Sequence, residues 1–258
     1  MSTAAARTGA PRVLRVATFN IHKGFSQFNR RMVVHELRDG LRMLDPDLMF
    51  LQEVQGLNER NALRLASWPG APQHEYLAEE RWQHAYGRNA IYDHGHHGNA
   101  ILSRFPIVSA ENEDVSNHRF ERRGLLHCVV MVPGWRRNLH CVCVHLSLHE
   151  RGRRRQIEAL GERLESLAAR NLPIIVGGDF NDWRDRASAL LERRLGMREV
   201  SATLRGRAAR TFPSALPMLR LDRIYVRGFK VIASQVHRGV PWSLLSDHLA
   251  VSAELRRA

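Results

Sequence analysis

Apolar positions along this chain fall into two rhythms. Val13 to Asn20 and Asp47 to Glu53 are short runs of β-branched, aromatic and aliphatic residues, which predict strands. Between them Val33, Val34, Leu37, Leu41 and Leu44 recur at helical spacing, predicting a helix over Arg31 to Leu44 that Asp45-Pro46-Asp47 ends. Further strand patterns cover Gly98 to Leu102, Leu125 to Val132, Leu139 to Leu146, Pro173 to Val176, Leu221 to Val226 and His248 to Leu255. A second helix is expected from Glu150 to Arg170, with Ile157, Leu160, Leu164 and Leu167 as its apolar stripe. Arg151, Arg153, Arg154 and Arg155 crowd its first turns, where positive charge opposes the helix dipole, and are expected to form a solvated face. The chain therefore reads as a layered α/β protein. With no repeat and no Pro/Gly/Ser linker, the expectation is one domain over residues 12–258 behind a disordered tail, residues 1–11.

Composition narrows the class. At 258 residues, 44% hydrophobic and 25% charged, the chain is neither disordered nor fibrous. Three cysteines, Cys128, Cys141 and Cys143, make no disulfide framework and point to a reducing compartment, where they serve as small buried hydrophobes. No apolar run approaches the roughly 18 residues of a membrane span, and the opening residues lack a signal-peptide core. A cytoplasmic monomer is the expectation. The formal charge of +13 is unevenly placed: residues 1–118 hold 13 basic and 13 acidic side chains, residues 119–258 hold 26 and 13. Such a surface concentrates polyanions, nucleic acid or anionic lipid. Only Lys23 and Lys230 among the 39 basic residues are lysines, so coding bias offers a second explanation for the arginines.

The chemistry lies where strands stop. Asn20 closes the first run, Gln52 and Glu53 the second, His145 a middle one, and Gly177-Gly178-Asp179-Phe180-Asn181 a later one. Asp222 falls inside a strand pattern, and Asp247 and His248 precede the last strand. Active sites of layered α/β proteins gather at strand ends. Each residue alone has a structural role open to it: a cap for Asn20, an arginine partner for Glu53, a surface hydrogen bond for His145. Asp222, if buried, needs a partner, and His248 can supply one. Together the set offers oxygen ligands and imidazoles without a thiolate cluster, which suits Mg²⁺ or Mn²⁺ and metal-assisted phosphoester hydrolysis. Asp93-His94-Gly95-His96-His97-Gly98 is expected as a polar loop beside the site, lacking the second ligand group a zinc site needs. Trp183 and Thr211-Phe212-Pro213 admit either core packing or an aromatic surface.

The order of short motifs resembles the endonuclease/exonuclease/phosphatase superfamily, with the deoxyribonuclease-like fold. They are ATFNIHKG (17 to 24), LQEV (51 to 54), GNAILSRFPI (98 to 107), VHLS (144 to 147), GGDFNDW (177 to 183), LDRIYV (221 to 226) and SDH (246 to 248). The resemblance implies a four-layer sandwich, two packed mixed β-sheets flanked by helices. It also implies Glu53 as principal metal ligand with Asn20 and Asp247 assisting, and Asp179 as the acid that positions or deprotonates water. Asn181 would bind phosphate. His248, oriented by Asp222, would contact the scissile phosphate or act as base, and His145 would bind a phosphoryl oxygen or protonate the leaving group. His22 and Gln55 stand where abasic-site repair nucleases carry an acid and a lysine, which argues against repair. A bacterial intracellular phosphodiesterase acting on nucleic acid is the leading expectation. A phospholipid or small phosphoester, met at an anionic membrane, is the alternative, and a non-catalytic binding module the third. All require Asn20, Glu53, Asp179, Asp247 and His248 to converge.

Overall fold

The computed structural model describes residues 11–118 and 121–258. The expected tail therefore lies, apart from Pro11, outside the described residues. Strand β1 (Leu14–Asn20) leads through helix α1 (Val34–Leu44) to β2 (Leu48–Asn58). Two short helices, α2 (Glu59–Arg64) and α3 (Gln73–Ala78), precede β3 (Gln83–Tyr92) and β4 (Gly95–Ser103). Then come β5 (Ile107–Asp114), β6 (Gly124–Val130), β7 (Leu139–His145), α4 (Glu150–Ala169) and β8 (Ile174–Asp179). The chain continues through α5 (Arg186–Leu195), β9 (Arg198–Glu199), α6 (Val200–Arg205) and β10 (Asp222–Arg227). It ends with β11 (Phe229–Val236), α7 (Trp242–Leu245) and β12 (Val251–Arg257).

The strands form two six-stranded mixed sheets, ordered β11-β12-β1-β2-β4-β3 and β5-β6-β7-β8-β10-β9. Each holds one parallel pair, β1 with β2 and β7 with β8. Parallel neighbours need a crossover, and α1 and α4 supply the two. Their carboxyl ends therefore lie side by side within each pair.

Period-two alternation explains the layers. Leu14 and Val16 of β1, Phe50 of β2 and Ile101 of β4 pack against Leu126, Cys128, Cys141, Cys143 and Ile175 between the sheets. Ala17 and Phe19 turn the other way, onto Val34, Leu37 and Leu41 of α1 and onto Trp242. Ile174 and Val176 of β8 face Leu160 and Leu164 of α4 and Leu191 of α5. Full burial of one such side chain contributes about 1.5–3 kcal/mol. The sandwich and its four layers are as expected, and all three cysteines are buried and free.

Several local expectations need correction. Helix α1 starts at Val34 rather than Arg31, because Met32 bridges back to Phe25 and Val33 is still extended in φ at −131°. His96 and His97 lie within β4, not in a loop; the β3–β4 turn is made by Asp93 and His94. Arg153 is only 2% exposed, beneath the Trp183 ring at 4.5 Å, so the arginines of α4 are not all solvated. β3, β5 and β11 carry no strong period in the sequence; α5 does, with Ala187, Leu191 and Leu195 four apart, and adds to the expected elements.

Candidate active site

Strand register builds the centre of the site. In the second sheet β8 runs between β7 and β10, so Asp179 is level with His145 on one side and Asp222 on the other. Three functional side chains thus come from three neighbouring strands at one height. Across the sandwich Asn20, at the end of β1, is level with Gln52 of β2. The sheets approach closely here: a Cβ on Gly177 would stand 2.7 Å from the Phe50 ring.

Glu53 needs a special backbone to join them. The β2–β4 register slips between Leu51 and Val54, and Glu53 sits in this irregularity with φ at +56°. A non-glycine residue held there stores strain, which clusters at functional sites. The bulge takes Glu53 out of the alternation that would have committed it to one face.

The two halves meet at one carboxylate oxygen. Asp179 Oδ2 accepts from Asn20 Nδ2 at 3.2 Å and lies 3.6 Å from His145 Nε2 and 3.8 Å from His248 Nε2. Asn20 Nδ2 is also 3.5 Å from Glu53 Oε1. His248 Nδ1 donates to Asp222 Oδ2 at 2.9 Å, the partner the buried acid required. The Asn181 amide N–H donates to Asp179 Oδ1 at 2.9 Å, and its Nδ2 donates to the Leu146 carbonyl at 2.9 Å. One Nδ2 hydrogen remains available. Asp247 stands at the mouth, 22% exposed, 3.7 Å from His22 Nδ1. Ser246 ties that segment to β1 by donating to the Asn20 carbonyl at 2.7 Å. All eight expected residues, Asn20, Glu53, His145, Asp179, Asn181, Asp222, Asp247 and His248, thus belong to one connected cluster.

Electrostatics divide these groups. Burial alone would lower the His248 pKa, but Asp222 and Asp179 raise it to about 10, so the imidazolium persists. Burial, with Asp222, raises Asp179. Burial and the Arg123 guanidinium hold His145 well below its usual value, and therefore neutral. Glu53 would be raised by burial, yet the Lys23 ammonium above all keeps it well below the ordinary carboxylate range.

Lys23 and Arg123 escaped the sequence reading, and His97 entered it only as part of a polar loop beside the site. Lys23 Nζ lies 3.0 Å from Glu53 Oε2, Arg123 acts electrostatically on both His145 and His97, and His97 is itself pushed down to about 4 by burial, then by Lys23. Rarity was the available signal for Lys23, one of two lysines in an arginine-rich chain. Nothing local marked Arg123.

A hard divalent cation fits this donor set. Glu53 Oε2 and Asp222 Oδ1 are buried without a hydrogen-bond partner, and the former already faces a positive charge in Lys23. Asp179, Asp222 and His248 also bring ligand atoms within 4.8 Å of one another. His248 Nδ1 is committed to Asp222, and the oxygens of Glu53, Asn20 and Asp247 are further donors that could hold such an ion.

Comparison with known proteins agrees with this architecture. The sequence profile of the Endonuclease/Exonuclease/phosphatase family matches residues 17–248. The uncharacterized protein YbhP of Escherichia coli is 46% identical over 242 residues, covering 93% of this chain and 95% of YbhP. Among solved structures, an endonuclease/exonuclease/phosphatase from Beutenbergia cavernae superposes with a TM-score of 0.78 at 22% identity, covering 96% of this chain and 72% of the other. D. rerio TDP2, complexed with single strand DNA product, superposes with a TM-score of 0.69 at 17% identity, covering 95% and 100%.

Proposed function

Because the chain belongs to the endonuclease/exonuclease/phosphatase family, we propose that it hydrolyses phosphodiesters with a divalent cation, Mg²⁺ or its substitute Mn²⁺, held by Glu53, Asn20 and Asp247. When bound, that cation supplies charge neutralisation at the phosphoryl group and supports the leaving oxyanion. The observation that carries the reading is the convergence of Asn20, His145 and His248 on Asp179 Oδ2.

The protein groups then divide the work. Asp179, raised by burial, is the acceptor that orients and deprotonates water. His248, kept protonated by Asp222, offers Nε2 to a phosphoryl oxygen. Neutral His145 and the free Nδ2 hydrogen of Asn181 address the remaining oxygens, with Arg123 nearby to balance charge. The buried free cysteines support a reducing, cytoplasmic setting. Nucleic acid and phospholipid both present the required bond.

Purified protein should cleave bis(para-nitrophenyl) phosphate with Mn²⁺ or Mg²⁺ and lose that activity in chelator. Asp179→Ala and His248→Ala should each cost at least about a hundredfold in kcat/KM. Undiminished turnover in both variants would overturn the assignment.

A further inference from the structure

Beside the catalytic cluster lies a groove of about 790 Å³ lined by three segments, two of which adjoin segments that carry the site. One wall, Ser26 to Arg31, continues from the turn that places Lys23 on Glu53. A second is residues 214–217 of the 211–219 loop, and a third runs from Arg238 to Leu244. Ser214 of that loop donates its N–H to the Asp247 carbonyl at 2.7 Å and its hydroxyl to the Ser246 carbonyl at 2.7 Å. The Phe212 ring packs 4.9 Å from the His248 imidazole. The groove therefore opens along the rim of the site.

Its rim is apolar where water should discourage it. Leu216 and Leu244 line it at 68% and 50% exposure, and Phe28, Met218 and Val240, each next in the chain to a lining residue, are 71%, 58% and 79% exposed. Exposed large apolar residues scattered singly need no explanation, but a group around one groove marks an interaction surface. Arg30, Arg31 and Arg238 line the same groove, and no carboxylate lines it among the described residues. Arg31 is paired with Glu36, whereas Arg30 and Arg238 have no carboxylate partner among the described residues. Arg30 lies over the Phe28 ring, 5.3 Å from its centroid, so one face of that ring is not open to stack on a base.

Apolar side chains interleaved with unpaired arginines match the boundary of an anionic bilayer, where hydrocarbon and phosphate lie a few ångströms apart. A nucleic-acid backbone would engage the arginines and leave the apolar side chains in water. We infer that this rim docks on an anionic phospholipid surface and presents a headgroup phosphodiester to the neighbouring site. The second half of this inference rests on the proposed hydrolase reading; the docking itself does not.

Sedimentation of the full chain with phosphatidylcholine vesicles, with or without phosphatidylglycerol, tests the docking. The wild type should partition onto phosphatidylglycerol vesicles and not onto pure phosphatidylcholine. Two variants, Leu216→Glu with Met218→Glu and Arg30→Glu with Arg238→Glu, should each weaken partitioning by about tenfold or more. Both should keep the native circular dichroism spectrum and wild-type turnover of bis(para-nitrophenyl) phosphate. Absent wild-type partitioning, equal partitioning onto both vesicles, or undiminished partitioning of both variants would overturn the docking. So would variants that lose single-stranded DNA binding while keeping vesicle binding, which would assign the groove to nucleic acid. Failure of wild-type hydrolysis with normal vesicle binding would instead sink the catalytic reading and leave the docking standing.

Discussion

Single side chains here act through partners from distant strands. Asp222 contacts His248 through 2.9 Å and is buried, so its carboxylate sets both the tautomer and the charge of that imidazole. Asp222→Asn should lower kcat by at least about a hundredfold with little change in KM, read on a soluble diester. Lys23 poses a different question, because its ammonium occupies the neighbourhood in which Glu53 would hold a cation. Lys23→Met should tighten Mn²⁺ binding by about tenfold, measured by calorimetry without substrate, since one repelling charge is gone. Unchanged affinity would show that the ammonium does not oppose the ion. At this scale the sequence was informative for residues embedded in strong motifs. It was silent for Arg123, whose importance comes from lying close to His145 and His97 and not from its neighbours in the chain.

At the scale of elements, the sandwich depends on local exceptions to regular patterns. Gly177 lets β8 approach β2, because any Cβ would meet the Phe50 ring at 2.7 Å. Gly177→Val should destabilise the fold by about 1–3 kcal/mol through overpacking, seen as a lower denaturant midpoint with unchanged m-value. The Glu53 bulge is a second exception: an unbroken β2 would place residues 52 and 53 on opposite faces in strict alternation. The strongest periodic stretches, α1, α4, β1 and β7, were legible within a few residues. β3 and β5 were not, because their exposure is mixed: His84 and Arg88 of β3 and Ser109 to Asn112 of β5 face solvent, and a strand with much polar surface has no clear alternation. β9 is set by pairing with β10, which its own two residues cannot announce.

Across the whole molecule, ion pairs tie arginines to acids of other segments. Arg163 pairs with Glu111 and Glu113, Arg184 and Arg186 with Glu150, Arg194 with Glu165, and Arg223 with Asp185. Four of these five arginines pair with acids of the second half itself, so the pairs fix where charge sits and leave the excess in place. Buried imidazoles add a global pH dependence. Burial pushes His74 and His127 down to about 4 from 6.5, with Arg163 reinforcing the effect at His127. Unfolding exposes them, so the unfolded chain takes up protons that the native state excludes. Their contribution to stability should be complete above about pH 6.5 and decline as pH falls towards about 4. Chemical denaturation at several pH values checks this, and His127→Gln should flatten the slope.

The sequence by itself determined the alternation that makes two-faced strands, the two long crossover helices, and the order of the acid, amide and imidazole motifs that marks the family. Those are properties of short windows, where a period or a few adjacent residues suffice. Only the tertiary structure decided that His145, Asp179 and Asp222 stand level, that Glu53 reaches them from the other sheet, and that Lys23 and Arg123 close the ring of charge. It also decided that an apolar, arginine-lined groove adjoins them. The reason is that register and sheet-to-sheet approach are set by packing across more than a hundred residues of chain, as with Asn20 and Asp179, 159 apart.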